Sequence, residues 1–360
     1  MRLAPLQSLT VDDLHAWEDL AQRAIEPNPF FEPAFVTAAA DALGAGDVHL
    51  LVEDRAGRWL GCMPSRITRL LGRPLAVSSW KHPYSFLGTP LVDRDCVDEF
   101  AQALAGDVAA RRHGRFAMLR RSSDDLVVKA IRAAAKEVRG VRVVREHGDE
   151  RALLERRPEP SYLDGLRSHH RREIRRLRRR LGEELGGEPT IRDCTEDPAA
   201  TEEFLRLEAS GWKGREGTAM AQSNGSAELF RSLCAKFAAS GRLQLLALEA
   251  GGRVAAMKCN LSAGDTLFCF KIAFDDELKR YSPGIQLEIE NVDLFHQRDE
   301  LQMDSCAEST NEMINRLWPD RRAIVTLTLG PTGPSGWIGG RVLDAGHAVR
   351  TRRNRGSTHS

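Results

Sequence analysis

Two stretches of this chain carry the same punctuation 195 residues apart. Residues 48–68, VHLLVEDRAGRWLGCMPSRIT, place two apolar runs around Asp54-Arg55-Ala56-Gly57. Residues 243–263, LQLLALEAGGRVAAMKCNLSA, do the same around Ala250-Gly251-Gly252. Apolar runs interrupted by such residues read as strand–turn–strand. Laid over each other, the segments share Leu50/Leu245, Leu51/Leu246, Gly57/Gly252 and Arg58/Arg253. Any two hairpins look alike to some degree, so four matches alone do not make a repeat. The continuation of each half does more to support one.

After the first hairpin, residues 96–111 read as helix, GRFAMLRR (114–121) as strand and DDLVVKAIRAAAKEV (124–138) as helix. Around the second lie a helix over 227–240 closed by Gly241, a strand LFCFKIA (267–273), a helix from Pro283 to about Arg298 and a strand LQMDSC (301–306). Helices interleaved with strands predict an α/β (α+β) layered fold, here duplicated, with mixed, mostly antiparallel sheets flanked by helices. A chain of 360 residues also has room for about two domains. The prolines and glycine of RRPEPSYLDG (156–165) place the boundary there, giving domains 1–157 and 158–330. The final eleven residues, RTRRNRGSTHS, have no apolar periodicity, and residues 331–360 are expected to be a flexible basic tail.

Charge and cysteine usage narrow the functional classes. Lys+Arg 52 against Asp+Glu 51 gives a net charge of +1, unlike a surface built throughout for nucleic acid or membrane. Seven scattered cysteines without a C-x-x-C pair do not form a disulfide framework or zinc ribbon. They fit a reducing cytoplasm, and no metal is expected. No apolar run suits a signal peptide or a membrane span.

Local motifs point to anion binding and group transfer. In Lys279-Arg280-Tyr281-Ser282-Pro283-Gly284-Ile285-Gln286, Ser282 is placed to cap a helix with Pro283 at its first position. Gly284 leaves the backbone bare, so the N–H groups of Gly284, Ile285 and Gln286 are expected to face an anion. A capped helix start with no ligand is the plain alternative. In LRSHHRREIRRLRRRL (166–181), Leu166, Ile174, Leu177 and Leu181 form an apolar stripe, and residues 167–180 hold eight arginines against one acid. Such a helix is either an RNA or phosphate contact or a solvated face in a chain that prefers Arg to Lys. Aromatic interleaving, which favours single-stranded nucleic acid, is absent from it. In EFLRLEASGWKGREGTA (203–219), Glu208, Trp212 and Lys213 beside three glycines suit the wall of a substrate cleft or a core edge. Asp304 and Glu308, at or just beyond a strand end, are candidate bases for an amine or hydroxyl nucleophile.

The blocks NPFFEPAFV (28–36), FLGTPLVD (86–93), RRLRRRL (175–181), FLRLEASGWKGREGTA (204–219), FKIAFDDELKRYSPG (270–284) and MDSC (303–306) occur in that order. Together they resemble the CelD-type acyltransferase group of the GNAT superfamily, up to about Leu329. The resemblance implies tandem GNAT-like domains, as in FemXAB-type aminoacyltransferases. It implies acyl transfer from a thioester, acyl-CoA, to a small-molecule or glycan amine or hydroxyl, in cell-surface polysaccharide or metabolite biosynthesis. It places Arg280, Tyr281, Ser282, Gly284 and Gln286 at the donor; for catalysis, Asp304 or Glu308 is expected to remove the acceptor's proton and Lys271 to orient the carbonyl or neutralise acceptor charge. The superfamily loop reads Q/R-x-x-G-x-G/A, whereas here Tyr281 stands three residues before Gly284 and Gln286 holds the last place. The tyrosine that many relatives place after the following strand is missing. Two alternatives stay open: transfer of an aminoacyl group from tRNA held on the Arg167–Arg180 helix, and an inactive GNAT-like accessory protein. Oligomeric state is not legible.

Overall fold

The computed structural model describes residues 1–157, 168–334, 336 and 339. Most of the expected linker 156–165, Arg167 and the tail from residue 340 lie outside the described residues, as do the side chains of Trp212 and Lys213. In chain order the elements are β1 (Arg2–Pro5), α1 (Val11–Arg23), α2 (Pro33–Ala42), β2 (His49–Arg55), β3 (Arg58–Leu70), β4 (Arg73–Ser79) and β5 (Leu91–Val92). There follow α3 (Val97–Ala110), β6 (Phe116–Ser123), α4 (Leu126–Glu137), β7 (Val141–Glu155), α5 (Ser168–Leu185), β8 (Thr190–Asp193), α6 (Pro198–Ser210) and α7 (Trp212–Arg215). The last are α8 (Ser226–Ala239), β9 (Leu243–Ala250), β10 (Arg253–Ala263), β11 (Thr266–Phe274), α9 (Pro283–Phe295), β12 (Gln302–Asp304), α10 (Glu312–Leu317) and β13 (Asp320–Pro331). The fold is α/β with mostly antiparallel sheets flanked by helices, as the sequence predicts.

The chain divides into two compact units, Met1–Arg151 with the chain from Arg321, and Ala152–Asp320. In the first, the sheet runs β1-β2-β3-β4-β6-β13 and then the early part of β7. The β4/β6 pair is parallel, while β1/β2, β2/β3, β3/β4 and β6/β13 are antiparallel. The expected hairpin is β2–β3, with Ala56 and Gly57 both at positive φ in its turn. α1 starts on a capping box in which Thr10 and Asp13 satisfy each other's backbone N–H groups, and it turns Trp17 and Leu20 inward. β13 differs from the expectation of a second domain over 158–330. It pairs with β6, from Ile324↔Ser123 to Leu329↔Ala117, so the first unit takes a strand from near the end of the chain. Apolar alternation marks a strand but not its partner.

In the second unit the sheet runs from the end of β7 through β12, β11, β10, β9 and β8. Only β11/β12 is parallel. α9 packs Val292 and Phe295 against Leu267, Cys269 and Met303 of the sheet. Burying each of those two side chains contributes roughly 1.5–3 kcal/mol. α5 sends Leu181 into a neighbouring cluster with Leu246, Leu248 and Leu287. Phe204 of α6, Phe230 of α8 and Phe270 of β11 stack in series, with centroids 4.7 and 6.4 Å apart.

Candidate active site in the second unit

β11 passes through α9 into its parallel partner β12, the crossover a parallel pair requires. The two strands pair only over Thr266↔Gln302, Leu267↔Met303 and Phe268↔Asp304. Then the chain turns away. Asp304 Oδ1 accepts the Cys306 N–H at 2.9 Å, and Ser305 N–H donates to Ala152 O at 3.2 Å. Cys306 takes a left-handed φ of 53°. A left-handed conformation costs a residue with a Cβ about 1–2 kcal/mol. Among the described residues no strand continues along that edge of Cys269–Phe274.

The start of α9 corrects two expectations. Pro283 stands at the first helical position, as predicted, but Ser282 adopts φ 53° and ψ 51° and its hydroxyl caps nothing. The physical reason lies just upstream. A 3₁₀ helix over Asp276–Tyr281, capped by Asp275 on the Glu277 N–H at 3.0 Å, runs straight into α9, and Ser282 is the one residue that reverses the chain between them. Its carbonyl oxygen accepts both the Ile285 and Gln286 N–H groups, at 3.1 and 3.2 Å. Those two donors are therefore engaged instead of facing an anion. Only the Gly284 N–H of the expected three has no partner among the described residues. The Gln286 side chain donates from Nε2 to Tyr281 O at 2.8 Å. Its Oε1 is buried without a hydrogen bond, in a residue 2% exposed.

Arg280 and Tyr281 were expected beside Ser282 and Gln286, and the structure separates them. The Arg280 guanidinium lies over the Tyr281 ring, 4.8 Å from its centroid, and pairs with Glu184 of α5 at 2.9 Å. The Tyr281 hydroxyl donates to Glu184 Oε2 at 2.7 Å, and this bond to the carboxylate holds the phenol above its ordinary pKa. Both line a cavity of about 450 Å³ with Arg180 and Glu183. Ser282, Ile285 and Gln286 line another, of about 530 Å³. Its walls are Ile174 and Leu177 from α5 and Met313 and Leu317 from α10, and Glu173, Glu312 and Arg316 complete it. Apolar walls with a few polar groups are the ordinary make-up of a ligand site.

Behind α9 lies a buried polar network that sequence reasoning missed. Lys258 of β10 pairs with Glu288 of α9, and both are nearly inaccessible. Asn291 donates to Glu288 Oε1 at 3.3 Å and to Met303 Sδ at 3.2 Å, while Asn260 donates to Asn291 and to Gln244, at 2.7 and 2.8 Å. Burial opposes the Lys258 charge, but Cys269 and Glu288 outweigh it and hold the ammonium above its ordinary pKa. Burial pushes the Cys269 thiol up to about 12. Removing one partner of such an ion pair costs about 3–5 kcal/mol, so the network fixes α9 on the sheet. The signal was a lysine inside an otherwise apolar strand, AAMKCNL.

The remaining predicted residues separate by exposure. Asp304 is fully buried with Oδ1 committed to the turn, whereas Glu308 is exposed in the segment between β12 and α10. Lys271 is half-buried on β11 opposite Cys259, three residues beyond the last β11/β12 pair. Glu208, expected at substrate, is instead turned into the fold, where its Oε2 accepts the Met220 N–H at 2.9 Å and anchors the segment after α7.

Residues 168–305 match the family described as "Acetyltransferase (GNAT) domain". The matched segment lies within the second unit. The whole chain is similar in fold to the crystal structure of FemX, with TM-score 0.57 and 9% identity over 90% of this chain and 97% of that one. A domain described as the C-terminal part of a lysylphosphatidylglycerol synthetase from Agrobacterium fabrum gives 0.55 and 13%, covering 93% and 95%. A protein of unknown function from Bacteroides thetaiotaomicron gives 0.54 and 13%, covering 91% and 100%. No curated protein matches the chain. Among the described residues no helix is long and apolar enough to cross a membrane.

Proposed function

We propose that the GNAT domain of this chain transfers an acyl group from a thioester donor, in its simplest form acyl-CoA, to an amine or hydroxyl of a small-molecule or glycan acceptor. The observation that carries this is the cavity at the start of α9, where apolar walls surround one buried, unpartnered acceptor, Gln286 Oε1. An extended arm of methylenes and amides has the matching chemistry, because an amide N–H reaching Gln286 removes the cost of an unsatisfied buried oxygen. The residues fit that arm better than they fit a pyrophosphate, for which the helix start offers only the Gly284 N–H. Beyond Phe268 no described strand lies along that edge of β11, and the same arm is expected to follow it. The acceptor nucleophile attacks the thioester carbonyl, and Glu308, the exposed carboxylate after β12, takes its proton; the C–S bond then breaks, and the donor's sulfur leaves as a thiolate that picks up that proton to become the thiol. Asp304 holds the turn that parts the strands, and Lys271 orients the acceptor.

Isothermal titration with acetyl-CoA and longer acyl-CoAs tests the donor site. Heat is expected with at least one chain length and is expected to vanish in Ile285→Trp, which fills the cavity. No heat with any thioester overturns the proposal. For the base, Glu308→Gln is expected to lower kcat about 100-fold with an unchanged melting temperature.

A further inference from the structure

The helix that walls the donor cavity has a second face. By helical spacing Ile174, Leu177 and Leu181 of α5 lie on one side, where Ile174 and Leu177 line the cavity and Leu181 enters the core. Arg172, Arg175, Arg176, Arg179 and Arg180 are exposed and share the opposite arc. Arg176 pairs with Glu173 and Arg179 with Glu183. Arg172, Arg175 and Arg180 make no ion pair among the described residues. Arg178, at the edge of this arc, clamps α5 to its surroundings by pairing with Glu290 of α9 at 2.6 Å and donating to Pro189 O at 2.8 Å. The cationic face is thus rigidly joined to the cavity through one clamped helix.

We infer that this face docks an acidic carrier protein, which delivers the acyl group on a phosphopantetheine arm into the cavity. The inference rests on the cavity being the thioester-donor site. Three observations favour this occupant. The helix start does not grip a pyrophosphate, since Ser282 O occupies the Ile285 and Gln286 N–H groups and Arg280 is held by Glu184. A donor reaching this cavity therefore draws its affinity from elsewhere. The carboxylates in the cavity are matched by their own arginines, Glu173 by Arg176 and Glu312 by Arg316, so its apolar walls suit an uncharged amide arm better than a polyanionic nucleotide. Among the described residues the dense positive charge beside the cavity is the α5 arc, which complements an acidic protein surface and steers its approach. An RNA is the competing polyanion, but the arc has no aromatic side chain on which bases stack.

The test compares full-length protein binding octanoyl-phosphopantetheinyl acyl carrier protein, the same carrier without its arm, octanoyl-CoA and bulk aminoacyl-tRNA, at low and high salt. The octanoyl carrier is expected to bind at least about tenfold tighter than octanoyl-CoA at low salt, with the advantage gone at about 0.5 M salt, where screening is short-ranged. The triple variant Arg172→Glu, Arg175→Glu, Arg180→Glu is expected to erase the advantage while the circular-dichroism melting curve stays in place. Equal affinity for carrier and CoA, or an advantage that survives the triple variant, overturns the inference and leaves the thioester site standing. Binding of neither thioester removes that site and the inference together. Salt-sensitive binding of tRNA through the same arginines, without binding of the carrier, replaces the protein partner with RNA.

Discussion

Each unit sends a strand through a helix into a parallel partner, and the two treat the resulting gap in opposite ways. In the first unit β4 and β6 pair over Ala76–Ser78 with Phe116–Met118, and the chain after β4 then fills the space that β4 vacates. Gly88 N–H donates to Arg121 O at 3.0 Å and Ser123 N–H to Thr89 Oγ1 at 2.8 Å. Asn28 Nδ2 donates to Leu87 O and Thr89 O, at 3.2 and 2.8 Å, and its Oδ1 accepts the Phe30 N–H at 3.1 Å. Two blocks that the sequence singles out, NPFFEPAFV and FLGTPLVD, are thereby one lock. In the second unit Asp304 and Cys306 bend the chain away and no described strand replaces it along β11. A described segment bridges the crossover in the first unit, whereas in the second no described strand lies along that edge of β11.

Two glycines test that contrast most directly. A Cβ on Gly88 would sit 2.0 Å from Arg120 O, a backbone atom that cannot give way. Gly88→Ala is expected to destabilise the protein by about 4 kcal/mol or more in chemical denaturation. Gly284 lies in the second unit, at the start of the helix that joins β11 to β12. There a Cβ meets only ordinary contacts, 3.6 Å from Phe274 and 3.8 Å from Ile272. Gly284→Ala is expected to stay within about 0.5 kcal/mol of the parent. Similar losses at both positions would break the comparison.

Glu26 sharpens the picture of the filled unit. Its Oε1 accepts the Val127 N–H at 2.9 Å, and burial raises its pKa to about 7. A carboxyl whose folded pKa lies above its unfolded value contributes stability that is complete below about pH 4.5 and is lost as pH rises through 7. The loss from this group amounts to about 3 kcal/mol. Glu26→Gln removes it, so unfolding titrations should show the variant gaining on the parent as pH rises, with no further gain above about pH 8.

In the second unit, Asp304→Ala removes the carboxylate that accepts the Cys306 N–H. It is expected to cost about 2 kcal/mol in denaturation, with Glu308→Gln costing less than about 0.5 kcal/mol. The smallest effect is expected at Arg316→Ala. Its pair with Glu312 joins two exposed residues one helical turn apart, and such pairs are worth about 0.5 kcal/mol or less.

Both hairpins, the α5 stripe and the proline that starts α9 were legible in the sequence, because turn residues and apolar spacing act within a few neighbours along the chain. The cap at Ser282 was not. A serine before Pro-Gly is a good cap by local preference, but the 3₁₀ turn packed before it decides its φ. Arg280 and Tyr281 sit two residues and one residue before Ser282, yet Glu184, 97 residues from Tyr281, draws both to another cavity.

By itself, then, the sequence determined where strands and helices begin and turn, and that a charged helix and a helix start frame the second half. Tertiary structure alone decided that β13 pairs with β6 in the first unit, that Glu208 and Asp304 are buried supports, and that the chain after β4 returns to bridge the first crossover. These depend on hydrogen bonds and contacts between residues distant in the chain, and no local pattern of residue types specifies which distant group will arrive.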